Sequence, residues 1–337
     1  MKIWIDIKNS HEPMFFNPLI KNFSNHDFKI TARNYAEIVS LLELFKMDFT
    51  LVGKHYGEHI INKIIGRGML RNFELLKNAS FFDIALSHMS LESVLISKLK
   101  SKKSIAFYDN EIKQLYVTSA LPFLDYFIVP DAINIQALLD LGASKESIIQ
   151  YGGYKEDLYV ASYTPDPDFS KKIPFESFVA IRPEALKAAY VSNKSKTIVP
   201  QILKLLQDEG INIILLPRYP SDVNLGKGFD NVYIPPSALN GLDICYHSDA
   251  VLTGSGTLAR EAACLGTPSV SFYPDPSLLA VDRKMIKDNK IFHSRSPNEI
   301  VRYILNSEKI KIDFQRSRNV QTEVFSILES IFSDIKS

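Results

Sequence analysis

Short runs of β-branched and aromatic residues alternate along this chain with longer stretches in which apolar residues return every three or four positions. That alternation is the pattern of α/β domains built on parallel sheets. In the first half it predicts strands at Lys2–Ile7, Phe28–Ala32, Thr50–Val52, Asp83–Leu86, Ser104–Tyr108 and Tyr126–Val129, with a weaker one near Ile148–Tyr151. Helical segments fill the gaps. Pro13–Phe23 places Met14, Phe15, Leu19 and Phe23 on one face, and Ala36–Phe45 is a second such segment. Pro18 conflicts with the first of these, since it removes a backbone donor; it is expected to fall in the early turns or to kink the helix.

From Tyr154 to Pro174 the chain is polar, Pro-rich and without a clear period, as an interdomain linker is. The alternation then restarts. Strands are expected at Phe178–Ile181, Ile211–Leu216, Asn231–Ile234, Ala250–Leu252 and Ser269–Phe272, and helices at Lys196–Glu209, Leu239–Tyr246, Leu258–Cys264, Pro297–Leu305 and Asp313–Ile335. The division that follows is a first domain over 1–155, a linker over 156–175, a second domain over 176–312 and a terminal helix over 313–337 that returns to the first domain. The expected fold class is α/β, with two Rossmann-like domains facing across a cleft. In such sheets ligands bind beyond the carboxyl ends of the strands.

A length of 337 residues suits two domains, and 46% hydrophobic with 23% charged residues excludes a disordered or collagen-like chain. Lys and Arg (39) balance Asp and Glu (38) to a net charge of +1, so no global field points to nucleic acid. Cys245 and Cys264 sit in apolar surroundings and read as small core residues of a reducing compartment. No apolar run approaches the roughly 20 residues of a membrane helix. The start MKIWIDI is too short and too acidic for a signal segment. A cytoplasmic protein with at most peripheral membrane contact is expected.

Ala250–Pro274 is the most informative stretch. A buried strand ends in Thr253-Gly254-Ser255-Gly256-Thr257, and an Ala-rich helix follows at once. Glycines let backbone N–H groups converge, the helix N-terminus adds partial positive charge, and the Ser255 and Thr257 hydroxyls supply further donors. Such a turn suits a diphosphate, with Arg260 as an anion clamp and Glu261 placed to accept from ribose hydroxyls. A Gly-Ser turn with Ser255 or Thr257 as N-cap needs no ligand, however.

This segment carries a resemblance. Thr-Gly-Ser-Gly-Thr-x3-Glu-Ala-x2-Leu-Gly-x-Pro resembles the donor-nucleotide motif of GT-B glycosyltransferases and the related UDP-N-acetylglucosamine 2-epimerases. The resemblance implies that Ser255, Gly256 and Thr257 bind the UDP diphosphate and Glu261 the ribose; Thr257 replaces a glycine, which keeps the backbone donor. The start MKIWIDIKNSHEPMFFNPLIK, with FYDNE, YGGYKE, IRPEA, LPRYP and GTLAREAACLGTPS, is similar to an uncharacterised, mainly archaeal family of predicted GT-B proteins. That second resemblance spans nearly the whole chain and implies a fold without a reaction. In GT-B proteins the stretch corresponding to Tyr233–Pro236 meets the nucleobase, which marks Ile234 and Leu239 as base-side candidates.

Other candidates follow strands. His11, after the first strand, can act as a general base on an acceptor hydroxyl or bind an anion, or can simply be solvated beside a helix cap. Asp109 and Glu111 offer two carboxylates past another strand end, and the resemblance matches Glu111 to an acidic residue of the epimerases. Arg218, and Arg182 as a further clamp, are placed to neutralise a leaving diphosphate, with Glu184 as a salt-bridge partner for Arg182. Asp275 and Asp282 are within reach of a sugar, although Asp282 and Arg283 also read as a helix surface pair. His55 and His59 have helical metal-pair spacing but lack an intervening Glu or a nearby Cys, so no metal is expected. Gly66–Gly68 with Arg71 is a basic loop that can bind an acceptor phosphate or touch anionic lipid, or is simply a solvated turn.

The leading function on this reading is a metal-independent GT-B-type glycosyltransferase, using a nucleotide-activated, UDP-type sugar donor and a sugar, lipid-linked or protein acceptor, with no further cofactor. A UDP-sugar 2-epimerase-like enzyme and a non-catalytic nucleotide-sugar or glycan binder are the alternatives.

Overall fold

In the computed structural model, which describes residues 1–34, 38–53, 71–78, 82–186 and 196–336, the paired strands all run parallel. The first sheet comprises β1 (Lys2–Ile7), β2 (Asp27–Ala32), β3 (Phe49–Leu51), β4 (Ile84–Ser87), β5 (Lys103–Phe107), β6 (Tyr126–Pro130) and β7 (Ile148–Tyr151). Their order is β3-β2-β1-β4-β5-β6-β7. The second sheet comprises β8 (Val179–Arg182), β9 (Ile213–Leu215), β10 (Val232–Tyr233), β11 (Ala250–Thr253), β12 (Ser269–Ser271) and β13 (Phe292–His293), in the order β10-β9-β8-β11-β12-β13.

Both sheets thus run outward for three strands, return to the centre and run outward the other way. That is the doubly wound Rossmann order, and its switch points lie between β1 and β4 in one sheet and between β8 and β11 in the other. Two strands starting there in opposite directions leave a crevice at their carboxyl ends, and both candidate sites fall at such a place.

The central strands β1, β4, β5, β6, β8, β9, β11 and β12 are buried over most of their length, which is why they read as apolar runs. In the second sheet Ile181, Leu252 and Val270 pack with Ile202, Leu203 and Leu206 of helix Val199–Asp208 and with Ile300 and Ile304 of helix Pro297–Leu305. In the first, Trp4 packs with Val52, Leu75, Phe82, Ala85 and Ile96. Its indole N–H donates to Thr31 Oγ1 at 2.9 Å.

Helix Glu12–Asn22 runs through Pro18, and Phe15, Phe16 and Leu19, fully buried, hold the segment in place of the lost hydrogen bond. The polar stretch read as a linker holds the division between the two units, and it carries helix Lys155–Val160 and a 3-10 turn at Phe169–Lys172. Its charges do not keep it solvated: Lys155, Glu156 and Asp157 are buried, as are Leu158 and Phe169.

The chain divides into two units, Met1–Tyr159 with Asn319–Ser337, and Val160–Arg318. Helix Phe314–Lys336 supplies the late portion of the first unit. Gln321 Nε2 donates to the Leu158 carbonyl at 2.6 Å, and Glu323 accepts from the Gly152 N–H at 3.0 Å. Phe325 and Phe332 meet Phe23 edge-on at 5.6 and 5.3 Å. Gly153 permits this approach, since a Cβ there would fall 2.6 Å from Val320. Among the described residues, no helix is long and apolar enough to cross a membrane.

Candidate functional site

In the second unit the switch point is filled by the turn after β11. Gly254 donates to the Arg182 carbonyl at 3.1 Å, and the Ser255 N–H donates to Thr253 Oγ1 at 2.9 Å. Gly254 is pressed onto the chain following β8, where a Cβ would lie 2.5 Å from Glu184 Cα, so this crossing requires glycine. Helix Gly256–Cys264 starts immediately, with Ser255 as an N-cap whose side chain makes no capping bond. Ser255, Gly256 and Thr257 are half-buried, and Leu258–Ala262 behind them is buried. The start of the helix, with its free backbone N–H groups and positive end, and the Ser255 and Thr257 side chains thus stand together at one partly exposed spot.

Glu261, one turn into the helix, is 6% exposed and lies against the next helix, its Oε2 3.4 Å from where a Gly241 Cβ would be. Burial, and then the Glu261 charge, push the Cys245 thiol well above its ordinary range. Arg260 is buried and held by Asp282 at 2.7 Å. Its guanidinium ties two helices together, and this pair stands at the turn itself, Arg260 Nη1 2.9 Å and Asp282 Oδ2 3.4 Å from where a Gly256 Cβ would be; Asp282 pairs with Arg260 and not with Arg283. Glu184 likewise pairs with Arg295 at 3.3 Å, accepting also from Thr197 Oγ1 and the Ile198 N–H, instead of serving Arg182.

Arg182 ends β8 and is half-buried. Arg218 follows β9 and places its Nε 3.4 Å from the Pro183 carbonyl, while Asp222 accepts the Arg218 and Tyr219 N–H groups, each at 2.9 Å. The two arginines thus belong to neighbouring strand ends beside the glycine turn. Ile234 packs partly on the core, Leu239 is half-buried, and Asp275 accepts from the Ser277 N–H at 2.8 Å.

The first unit's switch point gathers ionisable groups. His11 precedes helix Glu12–Asn22 and meets the His88 ring edge-on at 4.8 Å between centroids. His88 directly follows β4, ahead of Met89, whose φ of +46° is a left-handed conformation seldom taken by non-glycine residues. His88 Nε2 stands 3.7 Å from Asp109 Oδ1, and Lys155 Nζ stands 2.8 Å from Asp109 Oδ2. Glu156 lies 3.9 Å from Lys155. Glu12 is fully buried, and both its oxygens accept at 2.6 Å, from the Lys8 N–H and the Asn9 amide. Burial raises its carboxyl to about 7 in spite of those bonds. Glu111 is half-buried, past a turn in which Asn110 Oδ1 accepts the Ile112 N–H at 2.7 Å.

Behind this group lies a buried ion network. Arg71 grips Asp6 bidentately at 2.7 and 3.1 Å, Thr31 donates to Asp6 at 2.8 Å, and Lys8 pairs with Glu92 at 3.0 Å. Arg71 is 3% exposed, so its expected role in a solvated basic turn is corrected: it neutralises Asp6 beneath the site. Burial opposes the charge of Glu92, yet the Lys8 ammonium and Arg71 guanidinium outweigh it and hold its carboxyl at about 2. His55, His59 and Gly66–Gly68 lie outside the described residues.

Of the first unit's candidates, His11 and Asp109 are brought to one place, by way of His88. His88, Lys155 and Glu12 were not singled out from the sequence. His88 had a usable signal, since it follows an apolar strand as His11 and Asp109 do. Lys155 had none, because a lysine in a polar run reads as solvated.

Fold and sites define an α/β protein of two Rossmann-like units, with a helix N-terminus presented at the second switch point. The chain belongs to the family described as Protein of unknown function (DUF354), whose model matches residues 1–334. It is 27% identical over 317 residues to "Uncharacterized protein MJ0665" of Methanocaldococcus jannaschii, covering 90% of this chain and 91% of that protein. Among solved structures it is similar to the UDP-GlcNAc 2-epimerase of Methanocaldococcus jannaschii in complex with UDP-GlcNAc and UDP, with a TM-score of 0.71 and 16% identity, covering 98% of this chain and 100% of that one. It is similar also to Anabaena Alr3699/HepE in complex with UDP, with a TM-score of 0.64 and 13% identity over the same shares of the two chains. These likenesses bear out the expected α/β, GT-B-like fold and the family resemblance.

Proposed function

We propose that the chain is an enzyme acting on nucleotide sugars, and that it transfers the sugar of a UDP-type donor to an acceptor hydroxyl. The observation that carries this reading is the half-exposed Ser255–Thr257 turn, where backbone donors and a helix N-terminus meet beside Arg182 and Arg218. Structural neighbours holding UDP or UDP-GlcNAc on the same fold support it. On this reading the turn binds the diphosphate, Glu261 accepts from the ribose, and Ile234 and Leu239 face the base. The helix end and the arginines stabilise the leaving diphosphate, with no metal needed there. The first unit supplies acid–base groups, His11 and Asp109 foremost, with Glu111 beyond them.

Epimerisation is the second reading. It is favoured by the crowding of His11, Glu12, His88 and Asp109, since abstracting and returning a ring proton needs more than one acid–base group. Incubation with UDP-N-acetylglucosamine in deuterated water separates the two. A transferase incorporates no deuterium at C2 and releases UDP only when an acceptor is supplied. Deuterium entering without acceptor replaces this reading with the epimerase. Absence of stabilisation by any nucleoside diphosphate in a thermal-shift series overturns both.

A further inference from the structure

We propose that His11, Glu12 and His88 form a binding site for a divalent transition-metal ion. One ring nitrogen from each histidine and one Glu12 oxygen lie within 4.8 Å of one another. Around an ion with bonds of about 2.0–2.2 Å, such donors stand roughly 3.0–3.5 Å apart. For an ion to be held, the three donors must draw together by about 1–2 Å through torsional changes at these side chains.

The surroundings are those of a built site. The Lys8 N–H and Asn9 amide fix the Glu12 carboxylate from behind, one donor per oxygen, and each oxygen keeps a lone pair. Asp109, pinned by Lys155, stands beside the His88 imidazole, as outer carboxylates do when they orient a metal-binding histidine. The left-handed Met89 shows that backbone strain is tolerated where His88 is presented. Two imidazoles and one carboxylate select Zn2+, Co2+, Fe2+ or Mn2+ over Ca2+ and Mg2+, which prefer oxygen donors. Three protein ligands leave open positions, so the ion would act as a Lewis acid on a bound water or hydroxyl. The site stands without the nucleotide reading and concerns the first unit alone; with an ion bound, His11 is its ligand and no longer an acid–base group.

The test uses tag-free full chain, stripped with EDTA and dialysed. It is titrated with Zn2+ by calorimetry and with Co2+ followed by visible absorption. One equivalent is expected to bind, with a Co2+ spectrum of low coordination number. His11→Ala and His88→Ala each weaken binding by more than about a hundredfold, and Asp109→Asn by about 10–100-fold. His247→Ala, on a half-buried ring stacked on Phe169, leaves affinity unchanged. Circular dichroism checks each variant's fold, and the half-exposed His11 carries the test if His88→Ala fails to fold. Absence of a saturable equivalent in the wild type, or full binding in both histidine variants, overturns the proposal. UDP binding is measured on the same preparation, so either reading can fail alone.

Discussion

Lys155 Nζ lies 2.8 Å from Asp109 Oδ2, with the two side chains only 5% and 9% exposed. An ion pair so enclosed has given up most of its hydration, and its value to the fold depends on both partners staying in place. Removing one leaves an uncompensated charge. Lys155→Met should therefore cost about 3–5 kcal/mol, measured by urea unfolding. Lys155→Met combined with Asp109→Leu should recover much of that loss, and additive losses would show that the pair is not coupled.

Gly254→Ala should destabilise the second unit by about 1–3 kcal/mol or more. The new Cβ would lie 2.5 Å from Glu184 Cα, a backbone atom that cannot rotate away. The same variant should lose UDP binding, because the Ser255–Thr257 donors would shift with the turn. Unchanged melting temperature and affinity would refute the crossing's role.

Glu261→Ala should weaken UDP binding more than binding of inorganic diphosphate, since the proposed partner of its carboxylate is the ribose. Calorimetry with both ligands reads the difference. Equal losses would reassign Glu261 to holding the helix beside Gly241.

Glu92 gives the fold a pH dependence. Its carboxyl sits at about 2 in the folded chain against 4.5 ordinarily, so its contribution is fully present above pH 4.5 and is lost as pH falls toward 2. The contribution amounts to about 3 kcal/mol at most, less some solvent screening, since the side chain is one-fifth exposed. Stability should fall more steeply between pH 5 and pH 3 in the wild type than in Glu92→Gln, followed by urea midpoints. Parallel curves would contradict the assignment.

His11→Ala and Glu111→Ala should each lower turnover on the acceptor by about 10²-fold or more, with UDP affinity intact, because both residues belong to the first unit. A loss of UDP affinity equal to that of Arg218→Ala would contradict this division.

The framework was legible because buried parallel strands need continuous apolar runs. β1 and β7 have the expected bounds, and most other strands shift by one or two residues. β13 escaped, since a two-residue strand has no period. The turn after β11 and the helix that follows it were legible because their residues are local, all within a short stretch of chain. The first unit's cluster was legible only in part: His88 and Lys155 meet Asp109 through the alignment of β4, β5 and the chain beyond β7, a tertiary fact. The pairings of Arg260 with Asp282 and of Glu184 with Arg295 were hidden for the same reason, the partners lying 22 and 111 residues further on.

Helix Phe314–Lys336 makes the first unit discontinuous: the chain leaves it at Tyr159 and re-enters it at Asn319. During synthesis the first seven strands emerge well before the residues that cover Phe23 and seat against Gly153. The first unit can therefore reach its final packing only after the whole second unit has been made. A fragment ending near residue 160 would leave that apolar seam open to water and to other chains, and dissection of this protein into separate units must carry the last helix along with the first.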